Sequence, residues 1–272
     1  MCRKIMVPEE IVDICNQIKN SEDKDFINKS FRILLRQLPI RSHDVTTTTV
    51  WRARKTDEDH PEGFDQITDV IYPPAKVTRA GRFNTDGSPV LYATVSNHGC
   101  LAEVCAEPGD KVQVAAFTLN PKQKLHCISL GRVVRAHKWN SGDFSDVQKV
   151  LTPYSEEEKT SIFLIDSFLT DVFSDDRAKN NKYIHTTVLA DVIRNGNDEL
   201  DAIVYSGVES EGAKNYVINC DAMPKFNIPD IYLIEITKKH PYGFYEWKLL
   251  RQRECYDNNG KIIWKPALDS VS

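Results

Sequence analysis

The chain has 272 residues, of which 35 are lysine or arginine and 39 are aspartate or glutamate, so its formal net charge is −4. This length suits one large domain or two small ones, and a hydrophobic content of 41% excludes a low-complexity or collagen-like chain. The acidic balance provides no basic face for nucleic acid or for an anionic membrane, and average charge alone also argues against an anionic substrate.

No targeting or membrane-spanning segment is recognised in the sequence. The first residues are basic, but acidic residues follow at once and no apolar run has the length of a signal peptide. No window approaches the ~18 uninterrupted apolar residues of a transmembrane helix. We therefore expect a cytoplasmic protein.

The cysteines are too scattered for a metal site. None of them forms the C-x-x-C pair that zinc and thioredoxin chemistry use. We expect buried, reduced thiols and no bound metal. The cysteines are Cys2, Cys15, Cys100, Cys105, Cys127, Cys220 and Cys255.

Two amphipathic helices are predicted at the start of the chain. The first covers residues 8–20, where Pro8 suits the first turn of a helix. The second covers about 23–38 and ends before Pro39. Completing the hydrophobic core is their expected role, and covering a site or binding a partner are the alternatives. Their apolar residues are Ile11, Ile14, Cys15, Ile18, Phe26, Ile33, Leu34 and Leu38.

Short strands are predicted through the middle of the chain. The β-branched run at 46–49 begins one of them before Trp51, and the charged residues 55–66 then form a loop. A turn at 86–89 precedes the next strand. Further strands are expected over 90–93, 112–116, 202–205 and 216–218, and a hairpin with Asn259-Gly260 at its turn joins strands around 245–250 and 262–264.

Three further helices are recognised by their caps. Ser96 begins a helix that carries Leu101, Val104 and Cys105. Ser155 and Glu158 form a capping box before a helix with apolar residues at Ile162, Ile165, Phe168, Leu169 and Val172. The third helix includes Val188, Leu189, Val192 and Ile193, and ends at Asn195-Gly196. Because helices and strands alternate without a repeat or a βαβ period, the sequence predicts the α+β class.

The densest polar cluster beside apolar strands lies at residues 79–84. Gly81 lets the backbone approach a ligand closely, and Arg82 offers a planar fork that binds phosphate. The alternative is that Arg79 and Arg82 are solvated loop charges.

Arg52 and Arg54 form a second pair of cations. On the predicted strand they share one face, opposite Trp51 and Ala53. An arginine that points into the protein is costly unless an anion meets it, whereas an edge strand leaves both charges in water.

Glu103 lies in an otherwise apolar helical stretch, and Ser206 follows Tyr205 where a strand meets a loop. A buried carboxylate needs a partner such as an arginine, although a helix-surface glutamate is an equal alternative. Strand ends are common places for a binding hydroxyl. Because the sequence has no G-x-S-x-G motif, Ser206 is not predicted to be a nucleophile, and no glycine-rich Rossmann or Walker loop occurs.

Several ordered motifs resemble the RES domain, a family named for its arginine, glutamate and serine. The downstream segment with Asn215 resembles the family's serine segment, and Arg52 after Trp51 fits the arginine near its start. The resemblance covers roughly residues 48–235. The motifs are Gly-Arg-Phe-Asn at 81–84, Gly-Ser-Pro-Val-Leu-Tyr-Ala at 87–93, Leu-Ala-Glu-Val at 101–104 and Leu-Asp-Ala-Ile-Val-Tyr-Ser at 200–206.

This resemblance implies a fold related to the ADP-ribosyltransferase toxins, with a mixed sheet core and flanking helices, and NAD as substrate. Many members are toxins of toxin–antitoxin pairs that deplete NAD, some by phosphorolysis, and a few are described as ADP-ribosyltransferases. This chain adds an N-terminal helical extension at 1–45 and a helical insert at about 138–180 to a catalytic domain of residues 46–272. The partners to expect are NAD, a cognate antitoxin and a second copy of the chain.

The resemblance also assigns roles to individual residues. The catalytic ones are Arg82, Tyr92 and Glu103: Arg82 holds the diphosphate or an attacking phosphate, Tyr92 stacks on nicotinamide or ribose, and Glu103 stabilises the ribosyl cation or holds ribose hydroxyls. Arg52 shares the role of Arg82, and Ser206 binds ribose or phosphate and orients Glu103. The other expected substrate-binding residues, which line the pocket, are Asn84 and Asn215.

The chemistry of NAD agrees with these assignments. NAD carries an anionic diphosphate, and cleavage of its nicotinamide–ribose bond passes through an oxocarbenium-like cation. For binding this anion, the place where Arg52 and Arg82 converge matters more than the net charge of the chain. Because nicotinamide leaves as a neutral molecule, the reaction needs no general acid. We expect cleavage of this bond by phosphorolysis or hydrolysis, with inorganic phosphate as co-substrate in the first case and with no cofactor. An ADP-ribosyltransferase that modifies a protein or metabolite, and a catalytically silent nucleotide-binding module, are the alternatives.

Overall fold

The computed structural model describes residues 5–39, 42–139, 144–175, 183–197, 199–206 and 214–266. These residues form eight α-helices and eleven strands in irregular alternation, which confirms the α+β class. Among them, no helix is both long enough and apolar enough to cross a membrane.

The bounds of the elements follow in chain order. The helices are α1 (Pro8–Lys19), α2 (Lys24–Gln37), α3 (Ile67–Ile71), α4 (Asn97–Glu103), α5 (Arg132–Trp139), α6 (Phe144–Leu151), α7 (Glu156–Ser174) and α8 (Ile184–Arg194). The strands are β1 (His43–Val45), β2 (Thr49–Lys55), β3 (Val90–Thr94), β4 (Lys111–Leu119), β5 (Leu125–Ser129), β6 (Ala202–Ser206), β7 (Lys214–Asn219), β8 (Phe226–Asn227), β9 (Ile231–His240), β10 (Phe244–Tyr256) and β11 (Ile262–Pro266).

The described strands form one sheet in the order β1-β5-β6-β7-β3-β2-β4-β9-β10-β11, with β8 paired to β4. The pairing is antiparallel except between β5 and β6, which run parallel. Parallel neighbours need a crossover connection, and here α5, α6, α7 and α8 provide it. The helical insert expected at about 138–180 therefore lies inside the connection that this topology requires.

The N-terminal helices share their hydrophobic core with this crossover. Helix α1 packs on α7, and α2 packs on α8. Ile11 and Phe31 of the first two helices are fully buried in one cluster with Leu169, Leu189 and the sheet residue Ile203. These helices thus complete the core, as the sequence predicts, while a domain boundary near residue 45 stays a prediction.

Helix α4 packs against the opposite half of the sheet. Its residues Cys100, Leu101 and Ala102 are buried in a cluster with Val112 of β4 and Ile234 of β9. The hydroxyl of Ser96 accepts the Gly99 amide at 3.1 Å, which confirms the predicted cap. Burial of one face and capping of one end thus fix the helix whose last residue is Glu103.

The structure confirms the predicted helix start at Ser155 and the predicted C-terminal hairpin. Ser155 and Glu158 make both bonds of the capping box, at 3.2 and 2.9 Å. Strands β10 and β11 pair around the turn at Asn259-Gly260, and Gly260 has a φ of 75° there.

Other predictions were wrong or incomplete. Helix α4 ends at Glu103 rather than continuing through Cys105, whose φ of 48° is left-handed. Ile33 is 44% exposed, because α2 buries Ile27, Phe31 and Leu34 instead. Two thiols expected to be buried, Cys105 and Cys255, are exposed, and Cys2 lies outside the described residues. Strands β1, β5, β8 and β9 had no prediction.

Asp166 of α7 fixes the start of α5. Its carboxylate is fully buried and accepts the backbone N–H groups of Gly131, Val133 and Val134 at 2.8, 2.8 and 3.0 Å. These are donors that the first turn of a helix leaves without an intrahelical partner. Burial raises the pKa of Asp166 above its ordinary value.

We expect Asp166→Ala to lower the free energy of unfolding by about 3 kcal/mol, because it leaves buried amide donors unpaired. Chemical denaturation measures this change. Asp171→Ala is the matched control, since Asp171 lies on the same helix with its side chain 70% exposed. Equal stability of the two variants would contradict this account of Asp166.

Candidate active site

A cleft of about 450 Å³ opens where β2 and β3 diverge. Within the described residues, these two strands pair at Trp51 and Thr94 alone. Six of the seven residues that the sequence singles out for a site line this cleft, although they come from distant parts of the chain. They are Arg52, Arg82, Asn84, Tyr92, Glu103 and Asn215.

The floor of the cleft is one row of residues across four neighbouring strands. Tyr205 of β6 pairs with Asn215 of β7, Asn215 pairs with Thr94 of β3, and Thr94 pairs with Trp51 of β2. All four residues line the cleft. The register of the sheet therefore determines which side chains meet a ligand, since residues paired in register project to the same face.

The hydroxyl of Tyr92 fixes the loop at residues 79–84. It accepts the backbone N–H of Phe83 at 3.0 Å and donates to Asn84 Oδ1 at 2.9 Å. Asn84 in turn donates to the Arg79 carbonyl at 2.9 Å. Burial raises the pKa of Tyr92 to about 12, so the hydroxyl keeps its proton at neutral pH.

Gly81 leaves the space that this arrangement needs. A Cβ at this position would lie 2.8 Å from Asn84 Oδ1 and 3.0 Å from the Tyr92 hydroxyl. Its backbone also closes the loop, because the Gly81 N–H donates to the Asn84 carbonyl at 2.9 Å. The close approach expected at Gly81 is thus made by the protein's own side chains.

The C-terminal end of α7 holds the other side of the loop. Arg82 Nη1 donates to the carbonyls of Phe173 and Asp175 at 2.9 and 2.7 Å. The ring of Phe83 stacks on that of Phe173 with centroids 4.0 Å apart. A cation is favoured at the C-terminus of a helix, where the unpaired carbonyls carry partial negative charge. Arg82 is therefore a half-buried, oriented cation rather than a solvated loop charge.

Arg52 and Arg54 bind the short helix α3. Arg52 Nη1 donates to the Ile71 carbonyl, and Arg54 Nη1 donates to the Asp69 carbonyl at 2.9 Å. Arg52 alone of this pair lines the cleft, while Arg54 lies over the ring of Phe64. Burial and the neighbouring Arg54 lower the pKa of Arg52 to about 10, so it remains a cation at neutral pH.

Glu103 and Asn215 meet at the far side of the cleft. Asn215 Nδ2 donates to Glu103 Oε1 at 2.7 Å across 112 residues of sequence. Glu103 is exposed, as the helix-surface alternative expects, whereas Asn215 is only 2% exposed. The sequence expects an arginine as the partner of Glu103, and the structure provides this amide as one of its partners.

The titratable neighbours of Glu103 hold their protons at neutral pH. Burial raises the pKa of Cys100 to about 12, with the nearby Glu103 adding to the shift. Burial and then Glu103 also raise the pKa of Tyr205. Both groups are therefore neutral, and a thiol that keeps its proton is a weak nucleophile.

Ser206 is the predicted site residue whose position relative to the cleft is not described. Its backbone ends β6, but its side chain lies outside the described part of the chain. Tyr205, Thr94 and Arg79 line the cleft without having been assigned a role. Thr94 and Tyr205 each lie near the end of an apolar strand. The sequence would identify them as site residues only if the register of the strands were already known.

Comparison with known proteins identifies one relationship. The family model described as RES domain matches residues 49–236, which includes every residue named above as lining the cleft. Helices α1 and α2 and the whole hairpin of β10 and β11 lie outside this match. No curated protein and no solved structure matches the chain, so the expected likeness to ADP-ribosyltransferase toxins stays a prediction.

We expect Tyr92→Phe to destabilise the protein by about 1–3 kcal/mol, because the Phe83 amide and Asn84 Oδ1 both lose their partner. Amide hydrogen exchange should show faster exchange at Phe83, while the ring of residue 92 still fills its place. Tyr154→Phe serves as a control for removal of a hydroxyl from a partly buried ring. Unchanged protection of the Phe83 amide would show that Tyr92 does not hold the loop.

Proposed function

The chain belongs to the RES domain family, which indicates a function broadly related to NAD and of toxin type, and we propose that it cleaves the nicotinamide–ribose bond of NAD by phosphorolysis. One observation carries the proposal. Arg52 and Arg82 converge with Glu103 on a single cleft, and its volume falls in the range of small-molecule sites.

The arginines suit the anionic half of the substrate. Arg52 and Arg82 are half-buried and oriented by carbonyl acceptors, and Arg79 stands at the exposed rim. Guanidinium groups bind phosphate oxygens through two parallel hydrogen bonds. In the proposed complex they hold the diphosphate and the attacking phosphate, so that two anions approach each other without prohibitive repulsion.

Glu103 suits the nicotinamide riboside half of NAD, which carries positive charge during the reaction. Positive charge develops on the ribose as the bond to nicotinamide lengthens. A carboxylate held in place stabilises this charge without having to reorganise during the reaction. Asn215 holds Glu103 by a bond of 2.7 Å, which supports such a role.

The proposed step balances without a redox cofactor. The C1′–N bond to nicotinamide breaks, and its electron pair returns to the pyridinium ring, which leaves as neutral nicotinamide. A phosphate oxygen forms the new bond to C1′ and gives ADP-ribose 1″-phosphate. Depletion of cellular NAD is the expected consequence and would make the protein toxic.

We expect purified protein to release nicotinamide from NAD in the presence of inorganic phosphate and to form ADP-ribose 1″-phosphate. Proton NMR of the reaction mixture distinguishes the products. Release without phosphate, with free ADP-ribose as product, would indicate hydrolysis instead. Adducts on protein or metabolites from labelled NAD in lysate would indicate an ADP-ribosyltransferase. No nicotinamide release in any of these assays would overturn the proposal in favour of a silent binding module.

We expect Glu103→Gln to lower kcat by about 10²–10³, because the amide keeps the shape and the contact with Asn215 but loses the charge. Steady-state measurement of nicotinamide release tests this. Glu107→Gln is the matched control, since Glu107 is exposed four residues further on and pairs with Lys239 on the surface. Equal rates for the two variants would remove Glu103 from the catalytic group.

A further inference from the structure

Asn215 is a buried polar side chain in the cleft floor. It is 2% exposed, and it lies between Tyr205 and Thr94 in the row that crosses the sheet. Polar groups at this depth are almost always hydrogen-bonded, so each of the two polar atoms of the amide calls for an explanation.

The nitrogen of this amide is satisfied. Nδ2 donates to Glu103 Oε1 at 2.7 Å, and the Asn215 side chain also partly offsets the raised pKa of Tyr205. Because a carboxylate accepts and never donates, the contact with Glu103 also determines which end of the amide is nitrogen and which is oxygen.

The oxygen of the amide has no hydrogen-bonding partner among the described residues. This atom, Asn215 Oδ1, is buried. An unmet buried acceptor is costly in the free protein. A ligand that brings a donor to the cleft would remove that cost.

We propose that Asn215 acts in two ways on the dinucleotide: Nδ2 positions Glu103, and Oδ1 accepts an N–H or O–H donor from the nicotinamide riboside half. This inference rests on the proposed function and names the part of NAD that the cleft floor selects. It makes Asn215 a positioning residue through Glu103 and a specificity residue through its own oxygen.

The electrostatics of the floor favour a neutral donor over an anion. The Oδ1 dipole and the Glu103 carboxylate both present negative charge, while the cations of the cleft belong to Arg52 and Arg82. The diphosphate is therefore drawn to the arginines, and the riboside half is left facing the acceptors. Its carboxamide N–H and its ribose hydroxyls are the neutral donors available.

The first test compares substrates that lack one donor each. The analogues carry a carboxylate in place of the carboxamide, or lack the 2′- or the 3′-hydroxyl of the nicotinamide ribose. Because the analogues differ in intrinsic reactivity, the readout is the ratio of wild-type to Asn215→Ala kcat/KM for each substrate. One analogue lacks the donor that Oδ1 accepts, so loss of Asn215 should cost that analogue less. For this analogue, we expect the ratio to be about 10- to 100-fold smaller than it is for NAD.

The second test uses Asn215→Asp, which keeps the shape and an acceptor oxygen but places a second carboxyl beside Glu103. Two carboxyls at this distance share a proton. The acid limb of kcat/KM should therefore move upward by about one pH unit or more. Tyr205 and Cys100, which face Glu103 from β6 and α4, hold their protons through this range because burial raises the pKa of each.

Asn219→Ala is the matched control for both tests. Asn219 lies four residues further along β7 and donates to the Leu200 carbonyl at 2.7 Å, outside the cleft. It should leave the substrate ratios and the pH profile unchanged. Asn215→Asp keeps the size of the side chain, so it remains informative if Asn215→Ala fails to fold.

The outcomes separate this inference from the proposed function. A wild-type protein that does not cleave NAD overturns both. If the wild type is active, equal ratios for NAD and all three analogues overturn the role of Oδ1. An unshifted acid limb in Asn215→Asp overturns the positioning of Glu103.

Discussion

The hydroxyl of Tyr92 bonds two consecutive residues of the 79–84 loop, and the geometry of the cleft depends on it. The group accepts from Phe83 and donates to Asn84, so both of its hydrogen-bonding functions are used by the loop. Tyr92 itself lies on β3, one of the two middle strands of the four that form the cleft floor. A loop with a glycine at its turn would otherwise be free to carry Arg82 away from the sheet.

Aromatic contacts extend this support from the loop to the helices outside the family match. Phe83 of the loop stacks on Phe173 of α7, and Phe168 of the same helix stacks on Phe31 of α2 at 6.2 Å. The C-terminal end of α7 also accepts the guanidinium of Arg82. The N-terminal helices thus support, through α7, the helix end that orients a cation of the cleft.

Much of the fold could be predicted because caps and turns are determined by residues that are close together in the sequence. The capping box at Ser155 and the turn at Asn259-Gly260 each depend on residues a few positions apart. The parallel pairing of β5 with β6 depends on a crossover of four helices, and β5 is too short and too polar at His126 to be recognised alone. Motif resemblance found Arg82 and Glu103. It could not show that Asn84 serves the loop backbone, nor that Asn215 lies beside Glu103, because both facts depend on the strand register.

In the proposed complex, one cleft holds the diphosphate of NAD on its arginines and the nicotinamide riboside half on its hydrogen-bond acceptors. The most direct test is a crystal structure with an NAD analogue whose nicotinamide ribose has carbon in place of its ring oxygen, so that the bond stays intact. We expect the diphosphate to lie on Arg52 and Arg82 and the riboside half to lie against Glu103 and Asn215. A diphosphate bound away from both arginines, or an analogue bound outside the cleft, would contradict it.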